Sequence, residues 1–327
     1  PAAVVGVLFN DELEALFGKF NNDSIKMQFL ENRAIEASYF EAESYALNAL
    51  GIIYRNLSMY DRAIEYHEYA EELATFSENL ELKVQSLNML GVVYRRLDQV
   101  SSALDYHSQA LEFAKIANPI TKQLELSIAI SLNSMGNIYL VLKQYDLALE
   151  QFNKSLEIEK ETENKLGLAI NYQNIGFAKE ANGFLDDALN DYQTSLKYNE
   201  EINSEIGRVI CYNSIGKVYI KQKKYDEAFT ILQDALTKAL KVEDQYYIAT
   251  SYTNLGWLQS LTNKQELAEQ NLKKAIEVSD TYNLLTSKID ALNYLSENYA
   301  NKGIFDAALR DYKIADSLEK TINNQRN

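Results

Sequence analysis

Small and apolar residues recur along this chain in one arrangement, with polar residues between them. Asn48-Ala-Leu-Gly51-Ile-Ile-Tyr54 and Asn88-Met-Leu-Gly91-Val-Val-Tyr94 are nearly the same phrase, and it returns around Gly136 and Gly216. Weaker copies centre on Gly176 and Gly256, and Ser296 takes the glycine position in the last copy. The pitch is 40 residues, except for 45 between Gly91 and Gly136. Twelve residues after each of these positions stands an alanine: Ala63, Ala103, Ala148, Ala188, Ala228, Ala268 and Ala308. Seven further on the residue is always small: Ala70, Ala110, Ser155, Ser195, Ala235, Ala275 and Ala315. A fixed period of this length marks a repeat architecture.

The residue types carry a physical meaning. Gly and Ala let two helix backbones approach closely, and larger residues such as Leu50, Leu90 and Met135 fill the space beside them. Asn79, Asn164, Ser204 and Asp244 stand where a first helix should be capped. Ser58, Asp98, Lys143, Gly183, Lys223, Asn263 and Gly303 stand where it should end, several of them tolerant of a left-handed turn. The expected unit is therefore a helix A of about 18 residues and a helix B of about 16.

The pattern Leu/Tyr-x-x-Leu-Gly-x-x-Tyr, then Ala-x-x-x-aromatic, then Ala, resembles the tetratricopeptide repeat. Its 40-residue pitch, and phrases such as Ala63-Ile-Glu-Tyr-His67, look like a longer subclass. That subclass includes kinesin light chain, the Leu-Gly-Asn repeat scaffolds and bacterial Rap-type peptide receptors. The resemblance implies an all-α, right-handed superhelical solenoid of seven antiparallel helix pairs. Residues 1–43 are expected to form an N-terminal helical cap, 44–320 the repeats, with units starting near 44, 84, 129, 169, 209, 249 and 289, and 321–327 a tail. It departs from the pattern at Lys179 and Gln259, which replace the expected tyrosine, and at an insertion around Ala117–Lys122 that contains Pro119.

The net charge is −15 and the pI about 4.7, which disfavours nucleic acid as a partner. Cys211 is the only cysteine, so no intrachain disulfide or cysteine-rich zinc site is expected. No apolar run reaches the roughly 18–20 residues that span a bilayer. Ala2–Phe9 is apolar but lacks the flanks of a signal peptide. A soluble protein is expected, in the cytoplasm rather than the periplasm. The chain begins with Pro1 rather than Met, and is read as a trimmed or mature fragment.

Function is expected on the helix-A face, where the family holds its ligands. Three residues before the glycine stand Asn48, Asn88, Asn133, Gln173, Asn213, Thr253 and Asn293. Asparagine is a mediocre interior helix residue, so the column needs a reason. One reading is an amide ladder for the backbone of an extended peptide, as the resemblance to kinesin light chain and the Rap-type receptors implies. The other is a fold motif, each amide bonding to a neighbouring helix, and the two roles are compatible. Arg55, Arg95 and Arg96, and in a second patch Lys217 with Lys221, suit an acidic side chain or a peptide C-terminal carboxylate, or else pair with nearby acids in helix B. Trp257 suits an apolar anchor, or packing on the next helix A.

Catalysis is not expected. His67 and His107 fill the slot held by Phe152, Tyr192 and Tyr312 elsewhere, and read as packed aromatics rather than bases or ligands. Neither a metal site, a phosphate loop nor a singled-out carboxylate pair is present in the sequence, so no cofactor is expected. The expected function is a non-catalytic protein- or peptide-binding scaffold. The alternative is a sensory module of a larger bacterial signalling protein with a histidine kinase or DNA-binding output. Asp311–Asn324 resembles the exit from repeat arrays that precede such domains.

Overall fold

The computed structural model describes residues 18–20 and 23–326. The apolar stretch Ala2–Phe9, and with it residues 1–17, 21 and 22 of the expected N-terminal cap, lie outside these residues. Among the described residues the fold is all helical, with fifteen α-helices and a short 3₁₀ turn at Gly18–Phe20. Helix α1 (Ser24–Glu36) precedes seven pairs. These are α2 (Phe40–Asn56) with α3 (Tyr60–Phe76), α4 (Leu80–Arg96) with α5 (Val100–Lys115), and α6 (Lys122–Val141) with α7 (Tyr145–Glu161). There follow α8 (Lys165–Ala181) with α9 (Leu185–Glu201), and α10 (Glu205–Lys221) with α11 (Tyr225–Val242). The last are α12 (Gln245–Leu261) with α13 (Gln265–Thr281), and α14 (Leu285–Asn301) with α15 (Phe305–Arg326). The even-numbered helices are the A helices, and each starts at least four residues before the expected unit boundary.

The chain divides into two units, residues 1–163 and 164–327. Within each unit every helix packs on its sequence neighbours, and successive A helices also touch. The unit is set by its turns. All seven residues expected to end helix A have left-handed backbones, with φ from 58° to 84°. In each, the N–H of the following residue donates to the carbonyl of the residue three after the glycine position, at 2.8–3.0 Å. This six-to-one bond closes the helix end. It uses a main-chain oxygen, which explains why Lys179 and Gln259 are tolerated where tyrosine is expected. Asn79, Ser204 and Asp244 cap the next helix through their side chains, whereas Asn164 holds the capping position without that bond. The insertion lengthens the connection between α5 and α6 and carries a cis Asn118–Pro119 peptide.

The core lies between helix A and helix B of each pair and continues onto the next helix A, as where Leu232 of α11 clusters with Leu255 and Leu258 of α12. Ser155 donates to the Ala129 carbonyl, and Ser195 to the Ala169 carbonyl, both at 2.7 Å. In the first pair the roles are exchanged: Ser44 donates to Ala70 O at 2.7 Å. A hydroxyl this close to a neighbouring backbone explains why the position is always small. Among the described residues one helix, α6, is long and apolar enough to cross a membrane, which the sequence does not predict, but half of its apolar window is buried by its neighbours, as in a core helix.

The glycine sits under one buried side chain of helix B. A Cβ at Gly136 would lie 2.5 Å from Phe152, whose ring is fully buried. Gly136→Ala should therefore destabilise the protein by about 1–3 kcal/mol, although alanine is the better helix former. Thermal unfolding followed by circular dichroism checks this, and a neutral or stabilised variant would contradict the packing argument.

Candidate functional site

The A helices place residues four, seven and eleven apart on one face. The amide column stands on this face, and the structure shows where its polar groups go. Asn48 and Asn88 are each only 1 % exposed. Asn48 Nδ2 donates to Ser86 Oγ at 2.8 Å, while its Oδ1 faces His67 Nδ1 at 2.8 Å. Asn88 Nδ2 donates to the Ser127 carbonyl at 3.1 Å, and its Oδ1 meets His107 Nδ1 at 2.9 Å and the Ser131 hydroxyl at 2.9 Å. In the second unit Asn213 Nδ2 donates to Val209 O and Ser251 Oγ, and its Oδ1 accepts from Asn254. Each of these amides ties its own helix A to the next.

The remaining members differ. Asn133 is buried and accepts from Asn137 at 3.1 Å. Thr253 is buried and donates to the Ala249 carbonyl within its own helix. Gln173 Nε2 donates to Ser214 Oγ at 2.6 Å, but its buried Oε1 has no partner. Asn293 is partly exposed. In the second unit Gln173 thus keeps a buried acceptor unpaired, and Asn293 keeps a partly exposed amide.

The column one residue after the glycine is the open one. Ile52, Val92, Asn137, Lys217 and Trp257 are partly exposed, and Phe177 and Glu297 are exposed. Lys217 rests over the Phe177 ring, 5.7 Å from its centroid. Trp257 stacks on Tyr294 of the next helix A, with centroids 5.0 Å apart and planes 17° from parallel. Tyr294 escaped sequence reading because it falls one position off the amide column; only the packing of α12 on α14 brings it to Trp257. Lys221 is spoken for: it pairs with the buried Glu180 at 2.6 Å, and Tyr192 donates to the same carboxylate at 2.6 Å. In the first unit Arg55 donates to Asn56, and Arg95 and Arg96 lie in the last turn of α4, all three partly exposed.

The groups that suggested chemistry are internal. His67 and His107 are fully buried, each with an Nε2 that meets no partner. Desolvation, then the charge of Arg55 or Arg95, lowers both to about 3. Burial pushes Cys211 up to about 11, against weaker opposing bonds from Ser195 and Asn199. Among the described residues no group of three or more His, Cys, Asp or Glu could hold a metal ion.

A set of helical hairpins whose interior small positions repeat from pair to pair, with a varied, partly exposed A face, defines a helical-repeat scaffold. The tetratricopeptide repeat model matches residues 42–116, 127–201 and 208–281, more than half of the chain. The chain belongs to the tetratricopeptide repeat family. Among solved structures it is similar to a Rap protein complexed with competence and sporulation factor, at 22% identity and a TM-score of 0.67, covering 87% of this chain and 77% of that one. It is also similar to the Rap conjugation gene regulator of plasmid pLS20 in complex with the Phr* peptide, at 18% identity and a TM-score of 0.71, covering 86% and 75%. Aspartyl phosphate phosphatase F from Bacillus subtilis gives 18% identity and 0.64, covering 90% and 75%. These likenesses establish the fold. A search of curated proteins found no match.

Two outcomes follow for the amides and histidines. Asn88→Ala leaves the buried His107 Nδ1 without its partner, while Ser131 keeps its bond to the Ser127 carbonyl, and should cost about 1–3 kcal/mol; Asn293→Ala should cost little, and equal losses in denaturant unfolding would refute the distinction. The histidines bind protons in the unfolded chain below their ordinary pKa of 6.5 but in the folded chain only near 3. Their contribution is therefore complete above pH 6.5 and lost as the pH falls toward 3, at up to about 1.4 kcal/mol per pH unit for each histidine. Replacing both with phenylalanine should flatten the dependence of stability on pH between 7 and 5, whatever the variant's stability at pH 7.

Proposed function

We propose that this chain is a non-catalytic scaffold that holds an extended peptide, or an extended segment of a partner protein, along its helix-A face. The observation that carries the reading is the contrast within each A helix. The position that meets the buried side chain of helix B is glycine in six A helices and serine in the seventh, while the outward column one residue on runs Ile52, Val92, Asn137, Phe177, Lys217, Trp257 and Glu297. A scaffold that varies only its outward face is built to recognise something. The fold neighbours crystallised with competence and sporulation factor and with the Phr* peptide support a peptide as the ligand class. The burial of His67, His107 and Cys211 supports a binding rather than a catalytic role.

In this reading the amide column works at two levels. Asn48, Asn88 and Asn213 hold successive repeats together and support the face. Asn293, partly exposed, meets the ligand backbone, and Gln173 supports the face from beneath. Arg55, Arg95 and Arg96, and Lys217 in the second unit, receive acidic groups or a C-terminal carboxylate.

The test is selection of a random peptide library on the intact chain. Phe177→Ala with Lys217→Ala should weaken selected peptides by about tenfold or more and leave helicity unchanged. A control pair on an exposed helix-B surface, Lys154→Ala with Glu157→Ala, should have no effect. Equal behaviour of the two variants would reject the helix-A face as the binding surface.

A further inference from the structure

The Trp257–Tyr294 stack has neighbours that its packing role does not require. Asp290 lies one turn before Tyr294 on α14, and Glu297 lies one turn after it. Helical spacing puts both on the same face as the tyrosine. Both carboxylates are exposed, and no ion pair among the described residues involves either of them. They are close enough to act on the ring electrostatically: burial raises the Tyr294 hydroxyl most, and Asp290 and Glu297 raise it further. Carboxylates elsewhere on this helix-A face are occupied, Glu180 by Lys221 and Tyr192. Crowding by its surroundings raises the Asp290 carboxyl above the usual carboxylate range, and the nearby cation, Lys217, opposes this only through space while resting over Phe177. Two carboxylates against one ammonium leave the surroundings of the aromatic pair negative.

A half-buried aromatic pair with an unpaired carboxylate on each side suits one ligand chemistry. A cation is attracted to the negative face of an aromatic ring. A planar guanidinium also stacks on the ring while its N–H groups point outward to carboxylates, which a compact ammonium does less well. We propose that Trp257 and Tyr294, flanked by Asp290 and Glu297, seat a cationic side chain of the bound peptide, arginine in preference to lysine. The inference rests on the peptide-binding reading above and adds the ligand's chemistry to it. At the other end of the second unit the A face of α8 is apolar, with Ile170 44 % and Phe177 43 % exposed. The ligand is thus polarised, with an apolar residue toward α8 and a basic one toward α14.

Trp257 is the only tryptophan, so its emission reports on this seat directly. The probe is a random heptapeptide library screened against the intact chain for binders that change Trp257 emission. Those binders should carry arginine or lysine at a common position. Replacing that arginine with citrulline, its neutral isostere, should weaken binding about tenfold. In the double variant Asp290→Asn with Glu297→Gln that difference should vanish while helicity is kept, because both side chains are exposed. Binders that move Trp257 emission without a basic residue, or citrulline peptides that bind as well as arginine peptides, would overturn the seat and leave peptide binding standing. A library that yields no binder at all would overturn the peptide-binding reading, and this inference with it.

Discussion

The structure depends on one close contact, made seven times: the approach of helix B to helix A at the glycine position. Where that position is glycine, a single side chain of helix B lies over it, His67, His107, Phe152, Tyr192, Leu232 or Leu272 in turn. A Cβ at any of these glycines would fall within 3 Å of that side chain. The contact fixes the distance between the helices, and with it the need for small residues at Ala63, Ala70 and their equivalents. Ser296, in the last pair, keeps the pair together differently, by donating to the Ala308 carbonyl at 2.7 Å.

Burying a side chain so completely has a polar consequence in the first two repeats. A histidine in that slot brings two nitrogens into a dry interior, where an unpartnered polar atom is costly. Asn48 and Asn88 satisfy Nδ1 in each case and then use their remaining capacity on the next helix A. One column of amides thus joins the interior of one repeat to the start of the next. When the slot becomes Phe152 or Leu232, no ring nitrogen needs the amide. Asn133 then pairs with Asn137, and Asn213 with Asn254 and Ser251. The amide column follows the chemistry of the slot beneath it.

The outward residues of the A helices carry no such duty and are free to vary. Their character changes through the second unit, from Ile170 and Phe177 on α8, through Lys217 on α10, to Trp257 and Tyr294 and the carboxylates of α14. The electrostatics of this face are local: Lys221 is neutralised by a buried carboxylate, while Lys217 remains over an aromatic ring. The overall charge of −15 therefore says less about recognition than the placement of a few charges does.

The sequence by itself determined the repeat, its register, the helix ends and the packing role of the two histidines. These follow from short-range rules: a left-handed residue closes helix A at Ser58 and its six equivalents, and spacing alone identifies the small positions. It also located the face, because helical periodicity assigns residues to sides. What it left open was the fate of individual polar groups. Asparagine at Asn88 and a glutamine at Gln173 stand in the same column, yet one spends all its hydrogen bonds internally and the other keeps a buried acceptor unpaired. Lys217 and Lys221 lie one turn apart, yet only Lys221 meets a buried carboxylate. Tyr294 joins Trp257 across a repeat boundary. Such pairings link residues about 40 positions apart in the chain, and only the packing of one repeat on the next decides which partners come within hydrogen-bonding or stacking distance.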